Sequence, residues 1–205
     1  MSIATHGATR GATRGATRGS GSAAPVRDGT LPGTWRVAPV GDPSVVELLE
    51  DLVREYTARY GNSFDGQPHS ARVEINRYPP ERFAAPLGAF VVYEEDGVPL
   101  TGGAIMPGPA GYQAAATPTQ PPRRTAEVKR VWTRSDQRGR GLAAATMAQL
   151  EARAVELGYT HLYLTTGPAQ PEAVALYLRT GYTPDFDPTH YPATNGAHPF
   201  TKELS

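Results

Sequence analysis

Cysteine is absent from this 205-residue chain, which excludes structural disulfides, thiolate metal sites and a cysteine nucleophile. An excess of either charge is also lacking. The 20 lysines and arginines meet 20 aspartates and glutamates, so no overall field draws the protein to nucleic acid or a membrane surface. Lysine itself occurs only at Lys129 and Lys202. No run approaches the roughly 18 apolar residues that a membrane span requires. The N-terminus has no apolar stretch of the secretory kind, and a cytoplasmic protein is expected. His69, His161, His190 and His198 have no partners at a metal-ligand spacing such as His-x-x-x-His, so no metal is expected.

What is present divides into a tail and one domain. Gly-Ala-Thr-Arg occurs three times in succession over 7–18, followed by Gly19-Ser20-Gly21-Ser22. A repeat without large apolar groups cannot bury enough surface to offset the ordering of its backbone. Residues 1–33 are therefore expected to be a disordered, inert tail or expression leader, and 34–205 a single domain.

Within that domain, Thr34 to Val40 alternates as a short strand. Asp42-Pro43 then gives an N-cap and first helical residue for a helix ending near Gly61, with Val45, Leu48, Leu49, Leu52 and Tyr56 on one stripe. A weaker helix over 70–84 is interrupted by Pro79-Pro80. Strands at 89–94 and 100–106 flank the turn Glu95-Asp96-Gly97. The Pro-, Gly- and Thr-rich stretch 107–124 is a loop, and Thr125 to Thr133 a strand. A helix from Gly141 to Leu157 stops at Gly158, and a strand follows at 161–166. Pro171 opens a helix that Gly181 closes, and His198 to Leu204 is the last extended segment. The fold class expected is α/β (α+β), a mixed, mostly antiparallel sheet with helices on both faces.

The chemistry concentrates where the strand ending at Thr133 turns through Arg138-Gly139-Arg140-Gly141 into a long helix. Free N–H groups and the positive end of the helix macrodipole make such a start an anion site. Glycines let phosphate oxygens approach the main chain, and Arg138 and Arg140 can add charge-assisted hydrogen bonds.

This run resembles the R/Q-x-x-G-x-G/A signature of the GNAT family of N-acetyltransferases, with Arg138, Gly141 and Ala143 at its first, fourth and sixth positions. Glu127 to Thr133 resembles that family's fourth strand, and Gln170 to Tyr177, ending in Gly181-Tyr182, its second conserved block. The resemblance implies the GNAT-like fold and acetyl-CoA as co-substrate, without a metal. It implies that Val131 and Thr133 pair with the pantetheine arm through their main chains. It places the pyrophosphate on Arg138, Gly139, Arg140, Gly141, Leu142, Ala143 and Ala144. Gln170 takes a position more often held by asparagine, where the amide bonds the pantetheine. It further implies direct attack by a primary amine in a ternary complex. Glu127 would serve as base, directly or through water, and Tyr177 as the acid for the departing thiolate. Val131 N–H would polarise the thioester carbonyl.

Two rival readings are a non-catalytic acyl-CoA sensor of the same fold and a dinucleotide-dependent oxidoreductase using Gly139-x-Gly141-x-x-Ala144. The second needs an acidic residue closing the next strand, where Leu164-Thr165-Thr166-Gly167 stands instead. The acceptor, a small-molecule or peptide amine, has no sequence signature. Neither does the homodimer common in that family.

Overall fold

The computed structural model describes residues 31–61, 63–64, 67–68, 70–119 and 121–204. The Gly-Ala-Thr-Arg repeats and His69 lie outside them. Of the expected tail only Leu31 to Gly33 is described: Leu31 packs on a small cluster containing Tyr93, and Gly33 N donates to the Tyr93 hydroxyl at 2.6 Å.

The first strand, β1 (Thr34–Val37), is shorter than its pattern predicts. Pro39 has no N–H to continue a ladder, and Ala38 N makes the last contact, to Phe90 O at 2.9 Å. Helix α1 (Pro43–Tyr60) starts as expected, with the Asp42 side chain accepting from Ser44 N at 3.0 Å. Asp42 also pairs with Arg36 at 2.8 Å, and Arg36 reaches Glu94 at 2.7 Å. These bonds tie the start of α1 to the sheet and hold both carboxyls below their usual range.

The expected helix over 70–84 is broken into parts. After a small hairpin of β2 (Ser63–Phe64) and β3 (Gln67–Pro68), α2 (Ala71–Ile75) is capped by Ser70 and is one turn long. A separate 3-10 turn, Pro80–Phe83, starts at the second of the two prolines, which together withhold the donors a continuous helix needs. Strands β4 (Ala89–Glu95) and β5 (Val98–Pro107) form the expected hairpin. Its corner holds Asp96 at φ 51° and Gly97 at φ 75°, the left-handed pair that suits a two-residue connection. The loop after β5 is closed by an Ala114↔Arg123 bridge, and the Gln113 amide bonds both main-chain groups of Thr125, at 2.8 and 2.9 Å.

The rest follows the sequence pattern closely: β6 (Thr125–Thr133), α3 (Leu142–Glu156), β7 (His161–Thr166) and α4 (Pro171–Arg179), then β8 (Thr183–Pro184) and β9 (His198–Glu203). Seven strands form one sheet in the order β1-β4-β5-β6-β7-β9-β8. Every neighbouring pair is antiparallel except β6 and β7, which α3 joins as a parallel crossover.

Each face of the sheet carries its own core. Val45, Leu48 and Leu52 of α1 pack with Phe90, Val92, Ala104 and Trp132 on one side. Met147 and Leu150 of α3 and Val174 and Tyr177 of α4 pack with Val91, Ile105, Val128 and Phe200 on the other. Two adjacent glycines in β5 set how closely the helices approach. A Cβ at Gly102 would lie 2.7 Å from Leu48 Cδ1, and one at Gly103 would lie 3.0 Å from Leu150 Cδ1. Each buried leucine contributes roughly 1.5–3 kcal/mol, so a side chain at either position would disturb contacts of that order. Among the described residues no helix is long and apolar enough to cross a membrane.

Candidate functional site

Strands β6 and β7 pair only at their starts. Their ladder consists of three pairs, Thr125↔His161, Ala126↔Leu162 and Glu127↔Tyr163. Beyond them lies a cavity of about 810 Å³, with Val128 to Thr133 of β6 on one wall and Thr165 to Gly167 on the other. The loop before α3 closes one end. Glu74, Arg77 and Tyr78, from α2 and the segment after it, line the other.

At the α3 end the binding surface is main chain. Gly139 and Gly141 have φ of 82° and 81°, in the left-handed region that other residues enter only with strain. A Cβ at either would meet nothing within 4 Å, so the backbone angle demands glycine and its absence of side chain leaves the peptide bare. No side chain caps the first turn of α3, and no acidic residue occupies it. Its orphan N–H groups and the helix dipole thus face the cavity uncompensated. That arrangement fits a diphosphate. Leu142, Ala143 and Ala144 line the cavity beside it, and Leu142, 1% exposed, also anchors the turn against Tyr93 and Leu100.

The two arginines of the loop part company. Arg138 lines the cavity, half-exposed, donating to Glu55 at 2.8 Å and to Thr133 O at 3.3 Å. Arg140 turns away, to Glu95 at 2.7 Å and to Gln137, and its residue is not part of the lining. The guanidinium expected beside Arg138 is taken by the carboxylate at the β4–β5 corner, leaving Arg140 only its place in the loop backbone.

Along the β6 wall the register shifts. Gly102 faces Trp132 and Ala104 faces Lys129, so Gly103 stands opposite both Arg130 and Val131. Arg130 adopts φ 59° at this bulge, which interrupts the ladder where the resemblance places a thioester. Val131 and Thr133 both line the cavity, although Thr133 O already accepts from Arg138. Gln170 lines it as well. Its Oε1 accepts from Thr166 Oγ1 at 3.0 Å and Gly167 N at 3.1 Å, and its amide bonds the Tyr56 hydroxyl.

Tyr177 reaches the cavity from α4 while packing on Tyr182 and Phe200, with ring centroids 5.8 and 5.4 Å away. Its hydroxyl makes no hydrogen bond among the described residues, and burial raises its pKa, keeping the phenol protonated. Glu127 is placed differently. It is 5% exposed, bonded to Lys129 at 2.7 Å, and sits behind the wall formed by its neighbours Val128 and Lys129. Its ion pair is with lysine, not with one of the arginines nearby.

Tyr56, Glu74, Arg77, Tyr78, Lys129 and Arg130 also line the cavity, and none was singled out from the sequence as a site residue. Tyr56 was readable only as the end of the α1 stripe. Burial pushes its phenol up to about 12. Arg130 is 9% exposed, and burial lowers its guanidinium to about 10. Among the described residues no group of His, Asp or Glu is placed to hold a metal ion.

The sequence profile of the acetyltransferase (GNAT) family matches residues 45–182. No curated protein matches the sequence. Several solved structures share the fold. A protein of Klebsiella pneumoniae subsp. pneumoniae MGH 78578, classed as an acyl-CoA N-acyltransferase, is 22% identical, with 85% of this chain and 99% of that one covered and a TM-score of 0.57. An acetyltransferase of Staphylococcus aureus Mu50 is 10% identical over 84% of this chain and 100% of that one, with a TM-score of 0.58. A phosphinothricin acetyltransferase of Sinorhizobium meliloti, in complex with acetyl-CoA, is 17% identical over 85% of this chain and 90% of that one, with a TM-score of 0.55.

Proposed function

This chain belongs to the acetyltransferase (GNAT) family, and from that premise we propose that it moves an acetyl group from acetyl-CoA to the nitrogen of a primary amine. The observation that carries the reading is the uncapped start of α3, opening through two left-handed glycines into a cavity that runs to Tyr177. The N–H groups at Gly141 to Ala144 hold the diphosphate, with Arg138 exchanging part of its bond to Glu55 for a phosphate oxygen. The edge of β6 at Val131 and Thr133, with Gln170 opposite, holds the pantetheine arm and brings the thioester to the bulge. There Val131 N–H donates to the carbonyl oxygen.

Two protons must then leave the acceptor nitrogen. A typical alkylammonium has a pKa near 10, so the first must go to a base before attack. Glu127 takes it by way of water or its partner Lys129. The second leaves the nitrogen after attack and is matched by the one the sulfur needs. Tyr177 bridges these two events. A thiol has a reference pKa of about 8.5, well below that of the buried phenol, so Tyr177 donates to sulfur only while it takes the nitrogen's proton in return. No tyrosinate is left behind, and no nucleophilic side chain is needed.

The test is acetyl-CoA turnover on a panel of amines, read as free-thiol release, beside calorimetric titration with CoA. Binding and turnover together support the enzyme. Tight binding without turnover on any amine supports an acyl-CoA sensor of the same fold. Thermal stabilisation by NAD and not by CoA would overturn both.

A further inference from the structure

The end of the cavity remote from α3 has a receptor that acetyl transfer by itself does not call for. The bulge in β6 sends two successive side chains to the same face of the sheet. Lys129 Nζ lies 5.6 Å from the Tyr78 ring, and the Arg130 guanidinium lies 4.0 Å from the Phe83 ring while bonding Ile75 O. Arg77 and Arg82 stand over Tyr78 too, at 5.7 and 5.6 Å. Four cations thus surround two aromatic rings. Lys129 is paired with Glu127 at 2.7 Å and Arg77 with Glu74 at 3.7 Å. Arg82 donates to Pro107 O at 2.8 Å and is not part of the lining. Arg130 lines the cavity and, among the described residues, bonds no carboxylate.

Its placement is costly unless something completes it. The residue is 9% exposed, and Nη1 is buried without a hydrogen-bond partner. Closing α2 by bonding Ile75 O employs Nη2 alone and leaves Nη1 unexplained. Glu74 acts on Arg130 through space without bonding it; a buried guanidinium that bonds no anion is disfavoured, and its planar fork matches a carboxylate. The diphosphate does not supply that anion. Thr133, next to the α3 loop, and Arg130 are three residues apart on β6, roughly 10 Å at the usual rise of a strand. The α3 end also has its own donors.

Resting on the acetyl-transfer reading, we propose that the acceptor is a small amine of the amino-acid class, carrying a carboxylate near its nitrogen, and that Arg130 binds that carboxylate. Tyr56, Tyr78 and Glu74 line the same end, so the acceptor has aromatic surface for its carbon skeleton and a carboxylate for its ammonium.

The experiment compares amino acids with their own carboxamides, which keep the amine and lose the charge. In the wild-type protein kcat/KM should favour the acid by roughly a hundredfold, the range of a charge-assisted hydrogen bond, and the difference should sit in KM. Arg130→Met should bring the ratio to within about threefold of one, and Arg130→Lys should recover part of it. Should Arg130→Met fail to fold, the wild-type ratio decides alone. Equal rates on acid and amide, or no turnover of any carboxylated amine by protein that binds CoA, overturn the proposal and leave CoA binding standing. A protein that does not bind CoA at all removes the functional reading beneath it.

Discussion

The two ends of the cavity are built from different materials. At the α3 end the groups that face a ligand are peptide N–H donors, brought together by six consecutive residues from Arg138 to Ala143. At the far end they are side chains from α1, α2 and β6, and the bond joining Arg130 to Ile75 spans 55 positions of sequence. A main-chain site is written locally, because backbone angles follow from near neighbours. A side-chain site exists only after the sheet and both helices are in place. On the proposed reading the first end would serve a moiety common to every acyl-CoA, and the second could change its partner one residue at a time.

The sharpest way to break this contrast is at Gly141. Valine there has to enter the left-handed region, at about 1–2 kcal/mol, and its branched Cβ lies across bare N–H groups that each supply roughly 1.5–3 kcal/mol to a charged partner. We expect CoA to bind two to three orders of magnitude more weakly by calorimetry, with the melting temperature lowered by about 2–8 °C through backbone strain alone, because no packed atom lies within 4 Å of that Cβ. An unaltered dissociation constant would take the diphosphate away from this loop.

The same contrast explains what the sequence disclosed. The β6-loop-α3 segment, the β4–β5 corner and the strands at 125–133 and 161–166 were legible because each rests on local periodicity, a proline or a left-handed glycine. Residues 70–84 were half-legible: two prolines announced an interruption, but not that one turn of helix and a 3-10 turn would remain. The ion pair of Arg140 was hidden, because nothing local says that Glu95, 45 positions earlier, will bond its side chain. Arg130 was hidden more deeply. An uninterrupted strand alternates its faces, so Lys129 and Arg130 would point apart, and only the register shift against β5 turns both the same way. Arg130 at φ 59° has no glycine to advertise it.

Between the two ends stands Tyr177, which both must serve. Phenylalanine keeps the contacts with Tyr182 and Phe200 and removes only the hydroxyl. We expect kcat to fall roughly ten- to a thousandfold, with CoA affinity held within about twofold. Single-turnover thiol release measures the first and calorimetry the second. Full activity in this variant would move proton delivery elsewhere and leave Tyr177 as packing alone.

The smallest effect is expected at Glu127, which stands behind the wall and not on it. Glu127→Gln keeps the shape and withdraws a proton acceptor together with the partner of Lys129. We expect a deficit in kcat/KM of about tenfold at pH 7, the low side of general-base effects because the proton travels through an intermediary. The sign of its pH dependence separates two roles. An alkylamine supplies its own free base as pH rises toward 10, so a lost base becomes irrelevant there and the variant should approach the wild type. A deficit that stays flat across that range would mean that Glu127 only positions Lys129. Glu74→Gln, made beside it, asks whether the carboxylate that lines the cavity is the stronger acceptor. A larger, pH-rescued loss in that variant would transfer the proton from the β6 side of the cavity to α2.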